Sequence, residues 1–118
     1  MDISIPQTLE EWNAAGSEYL PGHLGFSFVR VEPDEVVAKV EVRKALRSWN
    51  GYLHAGTIAT LADTCCGYGT VRSLPAGVPA SRPSSSRAIS SGRHSTASSF
   101  AWRGRCTRAA RPRCGMQW

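Results

Sequence analysis

The chain has 118 residues, 42% of them hydrophobic, and a formal net charge of +5. That length allows one domain around one core and excludes a multidomain assembly. No apolar run reaches the roughly 18–20 residues of a membrane helix, and Met1-Asp2-Ile3 is not a basic signal-type start, so a soluble, cytoplasmic protein is expected.

The average charge hides two compositions. Residues 1–78 hold all nine acids against six Lys/Arg, a net of −3, whereas residues 79–118 hold eight Arg and no acid, a net of +8. Cys65 and Cys66 are adjacent and Cys106 and Cys114 lie eight apart, spacings that match neither a zinc site nor a redox pair. They read as thiols in a reducing compartment.

In chain order, Thr8 with Glu11 three residues on forms a capping box, with Pro6 upstream. Leu9, Trp12 and Tyr19 are expected to line one face of a helix that Pro21-Gly22 ends. From Gly25 the period changes: Phe26, Phe28 and Val31 mark a first strand and Pro33-Asp34 a turn. A second strand follows, with Val36, Ala38, Val40 and Val42 alternating with Val37, Lys39 and Glu41.

Residues 44–52 read as a polar loop carrying Trp49 and Asn50. Beyond it Ala55, Ile58, Ala59, Ala62, Cys65 and Gly69 recur at steps of three and four, predicting a helix from about His54 to Arg72 that stops before Pro75. Its surface is small and apolar nearly all round, so it belongs inside something, most simply wrapped by a sheet. Trp12, Trp49 and Tyr68 are expected in the core.

After Val78 this grammar is lost. Residues 79–118 contain nine Ser and eight Arg but one branched aliphatic, Ile89, and irregular coil is expected there. Eight arginines without acids also fit a non-catalytic protein that uses a basic tail to bind nucleic acid or another anionic surface.

The segment Trp49-Asn50-Gly51-Tyr52-Leu53-His54-Ala55-Gly56-Thr57-Ile58-Ala59-Thr60-Leu61-Ala62-Asp63-Thr64 resembles the NGxxHGGxxxxLAD signature of hotdog-fold acyl-CoA thioesterases of the phenylacetate-degradation (PaaI-like) type. The resemblance covers about two thirds of the chain. It implies an α+β fold, an antiparallel sheet wrapped around a central helix, here incomplete because residues after about 78 do not read as strands. Residues 1–77 would be the N-terminal part of that domain and residues 78–118 an Arg/Ser-rich tail.

The resemblance also implies a reaction, the hydrolysis of acyl-CoA to free acid and CoA. No metal or cofactor is implied, coenzyme A being part of the substrate, and copies of the chain would pair as a dimer or tetramer. Asp63 takes the place of the family's nucleophile or general base. His54 and Asn50 would orient the loop and the thioester carbonyl. The N–H of Ala55, with Gly56 beside it, would form the oxyanion and substrate-binding start of the helix. Ala55 stands where the family usually has Gly, and Ser48 where relatives often carry Asn or Gln.

The family's second half ends in a motif close to HxGRTTQVWDAEV. Reading the last base of each codon with the first two of the next, with synonymous codons chosen freely, residues 105–118 permit VHPGGTTQVWDAV and residues 80–92 permit FTTIELKSNFLG. Both strings fall in the expected order and spacing. The tail is therefore expected to be a frameshifted product, displaced by one lost or two gained nucleotides near the codons for Gly77-Val78, and the chain an inactive fragment of its family.

Overall fold

The computed structural model describes residues 4–75, 99–105 and 113–117. Helix α1 spans Leu9–Ala15, α2 Leu20–His23 and α3 Ala55–Arg72. The strands are β1 (Phe26–Val31), β2 (Val36–Glu41), β3 (Ser99–Arg105) and β4 (Arg113–Gln117). They form one antiparallel sheet in the order β1-β2-β3-β4, and α3 lies against its apolar face.

The capping box forms at α1. The Glu11 N–H donates to Thr8 Oγ1 at 3.2 Å, and Glu11 Oε2 accepts from the Gln7 and Thr8 N–H groups. Those backbone donors hold the Glu11 carboxyl below its ordinary value of 4.5. The first helix is shorter than its sequence predicts. It ends at Gly16, and Pro21 sits in the first turn of α2 rather than ending α1, a position where proline's missing N–H costs nothing. Trp12 therefore points into the core, while Tyr19, beyond the break, is 70% exposed.

The hairpin supplies most of the core's sheet side. Phe26, Phe28 and Val31 of β1 and Val36, Ala38 and Val40 of β2 are all buried. The three-residue step from Phe28 to Val31 breaks strict alternation, and a bulge between Phe28 and Arg30 restores it by letting Val29 turn outward. Asn13 ties α1 to this strand: its Nδ2 donates to the Phe28 carbonyl at 3.1 Å and its Oδ1 accepts from the Phe28 N–H at 2.9 Å. Tyr68 of α3 stacks against Phe28 and Trp12, with ring centroids 4.7 and 4.8 Å apart.

The strands β3 and β4 correct the expectation of irregular coil over residues 79–118. Counting branched aliphatics in the tail hid a short alternation in which Phe100 and Trp102 take turns with Ala101 and Arg103. Phe100 is 1% exposed and joins the core. The rest of the pairing is backbone: β2 offers its second edge from Val36↔Gly104 to Glu41↔Ser99, and a ladder can be completed by residues with little apolar surface. On the outer face Glu35 accepts from Arg30 at 3.1 Å and lies 3.5 Å from Arg103. The described part of the tail thus enters the sheet instead of standing apart as a basic arm. Residues 76–98 and 106–112, with Ile89 and Cys106, lie outside the described residues. Among the described residues, no helix is long and apolar enough to cross a membrane.

Candidate functional site at the start of the central helix

The helix α3 begins where predicted because its first turn is held from two sides. The His54 N–H donates to the Leu46 carbonyl at 2.9 Å, and Thr57 Oγ1 donates to the same oxygen at 3.3 Å. The His54 carbonyl in turn accepts from the Thr57 N–H at 3.0 Å. Before it, residues 48–52 form a tight loop with Gly51 N–H to Ser48 O at 2.9 Å and Ser48 N–H to Tyr52 O at 2.7 Å. Gly51 has a φ of 88°, which favours glycine there. Trp49, expected in the core, is instead 99% exposed at the tip of this loop. The far end of α3 is fixed by Ser73, whose hydroxyl donates to the Pro33 carbonyl in the β1–β2 turn.

Two arcs divide the surface of α3. Thr57, Ile58, Leu61, Ala62, Cys65, Cys66 and Gly69 are buried against the sheet. His54, Ala55, Gly56, Ala59 and Asp63 are exposed. At about 100° per residue, Asp63 lies within about 20° of Gly56 around the helix and Ala59 between them in height, so all share one outward face. Asp63 and Arg72 are the only charged residues in the helix sequence.

The expected site residues divide as follows. The His54 side chain is the N-cap of α3, its Nδ1 accepting from the Gly56 N–H at 2.8 Å. Asn50 is exposed, and its Oδ1 accepts from the Tyr52 N–H at 3.4 Å, a contact inside its own loop. Among the described residues no acceptor engages the Ala55 N–H, which is therefore the donor left open at the helix start. Asp63 stands eight residues along the helix from Ala55, a rise of about 12 Å. Sequence spacing placed Ala55, Gly56 and Asp63 on one helix correctly, with His54 as its cap rather than its first residue. It missed that Gly56's N–H is taken by His54, because nothing in the spacing reveals which cap atom is used.

Electrostatically, the helix start offers partial positive charge and an open N–H, and one carboxylate two turns away faces the same side. Such a pair can stabilise a developing oxyanion at one point and activate water or attack carbon at another.

An α3 of this kind, laid across an antiparallel sheet with its acid-bearing face outward, defines an α+β hotdog domain. Several solved structures similar in fold are thioesterases. A mutant thioesterase from Pseudomonas aeruginosa superposes with a TM-score of 0.70 at 16% identity, covering 97% of this chain and 88% of that one. A thioesterase from Haemophilus influenzae gives 0.67 at 22% identity, covering 85% and 68%. A hypothetical thioesterase from Streptococcus pneumoniae, solved with coenzyme A, gives 0.56 at 18% identity, covering 92% and 80%. No protein-family model matches the chain. The chain has the hotdog fold of these thioesterases.

Proposed function

We propose that the chain is built for hydrolysis of acyl-CoA thioesters and that the outward face of α3 is its reaction centre. The observation that carries this reading is the placement, on one exposed helix face, of both the open Ala55 N–H and the Asp63 carboxylate. The thioester oxygen would sit on the Ala55 N–H, where the helix dipole and the N–H stabilise negative charge as it forms. Asp63 then acts as general base or as nucleophile. In the general-base form it takes a proton from water as the water oxygen bonds to the acyl carbon. Collapse of that adduct breaks the C–S bond, and the proton returns to the departing thiolate. The likeness to a thioesterase solved with coenzyme A favours CoA as the carrier. Among thioesterases, the Asn50-Gly51 to Asp63 motif supports the PaaI-like type, and a cytoplasmic setting belongs to the same reading.

One chain does not complete this centre. A carbonyl bonded to the Ala55 N–H must also lie about 3 Å from the attacking group, yet Asp63 of the same helix is about 12 Å away along the axis. Two copies with their α3 helices antiparallel would set Asp63 of each beside Ala55 of the other, giving two equivalent sites across a two-fold axis. The small outward residues Ala59 and Gly67 permit that close approach; around Gly67 a β-carbon would meet nothing within 4 Å.

The test is thiol release from acyl-CoA by the frame-restored chain, with and without Asp63→Asn. Loss of at least about a hundredfold in the variant, the usual scale for a removed general base, supports the assignment. Equal rates in both proteins would refute it. The frame reading of the tail belongs to the same proposal: DNA sequenced across the codons for Pro75 to Pro79 carries the displacement, and a frame-restored chain hydrolyses faster than this one.

A further inference from the structure

The cap at the start of α3 has an unusual acceptor. Helices are commonly capped by a Ser, Thr, Asp or Asn oxygen, whereas here the acceptor is an imidazole nitrogen, His54 Nδ1, 2.8 Å from the Gly56 N–H. A ring nitrogen accepts only through a free lone pair, so this bond requires a neutral imidazole with its proton on Nε2. A proton on Nδ1 would set one N–H against another.

Gly56 makes the arrangement possible by what it lacks. A β-carbon at position 56 would lie 2.9 Å from His54 Nδ1 and 3.2 Å from His54 Cε1, so any other residue pushes the ring off its seat. The reason for glycine here is space and not backbone conformation, since the positive-φ glycines among the described residues are Gly25 and Gly51.

We infer that Gly56 is a positioning residue whose bare α-carbon seats the His54 imidazole over the first turn of α3, fixing the ring proton on Nε2 and leaving the Ala55 N–H as the helix donor offered to a carbonyl. This rests on the reading of the helix start as the carbonyl site, and it changes the part played by Gly56. Its N–H is spent on the cap and does not serve the oxyanion. The ring edge away from the cap carries an N–H that can serve as a second donor beside Ala55. Glycine at 56 and histidine at 54 thus form one device, in which loss of either residue disables the other.

The measurement is the nitrogen-15 spectrum of labelled histidine in the whole chain, in mildly alkaline buffer and without substrate. His54→Asn identifies the His54 signals and His23→Asn those of exposed His23, apart from the third histidine, His94, and His23 serves as the reference for a ring that caps no helix. The expected result is a single Nε2-protonated form for His54, replaced in Gly56→Ala by a tautomer mixture like that expected of His23, with hydrolysis lowered up to about a hundredfold by the displaced ring. A mixture in the unaltered chain overturns the inference, as does an unchanged His54 signature in Gly56→Ala. Should Gly56→Ala fold poorly, the unaltered chain decides alone. A chain that shows the fixed tautomer but hydrolyses no thioester counts against the proposed reaction and for the seat. One that hydrolyses with a mixed tautomer counts against the seat alone.

Discussion

Along α3, the residues facing the sheet and those facing solvent are both small, but they answer to different demands. Inward, Leu61 and Cys65 are wholly buried and Ile58, Ala62 and Cys66 nearly so, and the register of that face is set by packing against Phe28, Val36, Ala38, Val40 and Phe100. Outward, Ala55, Gly56, Ala59 and Asp63 are exposed. A helix that merely met water on that side would carry charged residues with long side chains, and this one carries a single acid. The contrast teaches that a helix can be small and apolar nearly all round while only one of its arcs is buried in the fold.

Substitutions on the two faces should therefore part company. The largest effect expected is on catalysis: Asp63→Asn lowers thioester hydrolysis at least about a hundredfold while leaving the denaturant midpoint nearly unchanged. A large loss of stability in that variant would erase the distinction between the faces. Inward truncation does the reverse. Phe100→Ala is expected to cost about 3–5 kcal/mol and Leu61→Ala about 2–5 kcal/mol in equilibrium unfolding, Phe100 being 1% and Leu61 0% exposed. The Phe100 result also asks whether the arginine-rich tail contributes to the core. A neutral outcome would detach β3 from the fold.

Thr8→Ala removes the cap oxygen of α1, far from both faces, and should cost about 1 kcal/mol. The other half of the box is pH-dependent: the Glu11 carboxyl, held below 4.5 by the backbone N–H groups of Gln7 and Thr8, contributes stability above its unfolded value that is lost as pH falls through the lowered one. The smallest effect at neutral pH concerns Tyr68. Burial, with a lesser contribution from Cys65, pushes its phenol above the ordinary 10.0. The folded state therefore favours the neutral phenol, and its contribution is complete below pH 10.0 and lost as pH rises through the raised value. Thermal melts of the chain and of Tyr68→Phe across alkaline pH should diverge only there.

Much of this was legible in the residues. The 3.6 periodicity from Ala55 to Gly69 placed α3, the alternation from Val36 to Val42 placed β2, and Thr8 with Glu11 placed the start of α1. These signals are local and do not depend on what packs against them. Three features were not legible. Trp49 reads as core by its chemistry, but the turn at Gly51 carries it to a loop tip. The strands β3 and β4 read as coil because most of their contribution is backbone pairing, which composition does not record. Asp63 and His54 came from the motif, yet the bond that spends the Gly56 N–H on His54 Nδ1 depends on a side-chain rotamer that no spacing records.

The most direct test of the proposed centre, divided between two copies, is a mixing experiment. Proline in place of Ala55 deletes one N–H at the first helical position, where proline is well tolerated, and His54 already has the extended backbone (φ −64°, ψ 133°) that a following proline demands. Ala55→Pro and Asp63→Asn chains should each be nearly inactive alone. Unfolded and refolded together, they should recover activity, because a mixed pair holds one site with both the N–H and the carboxylate intact. Activity in the mixture no greater than the sum of the two separate proteins would contradict a centre shared between copies.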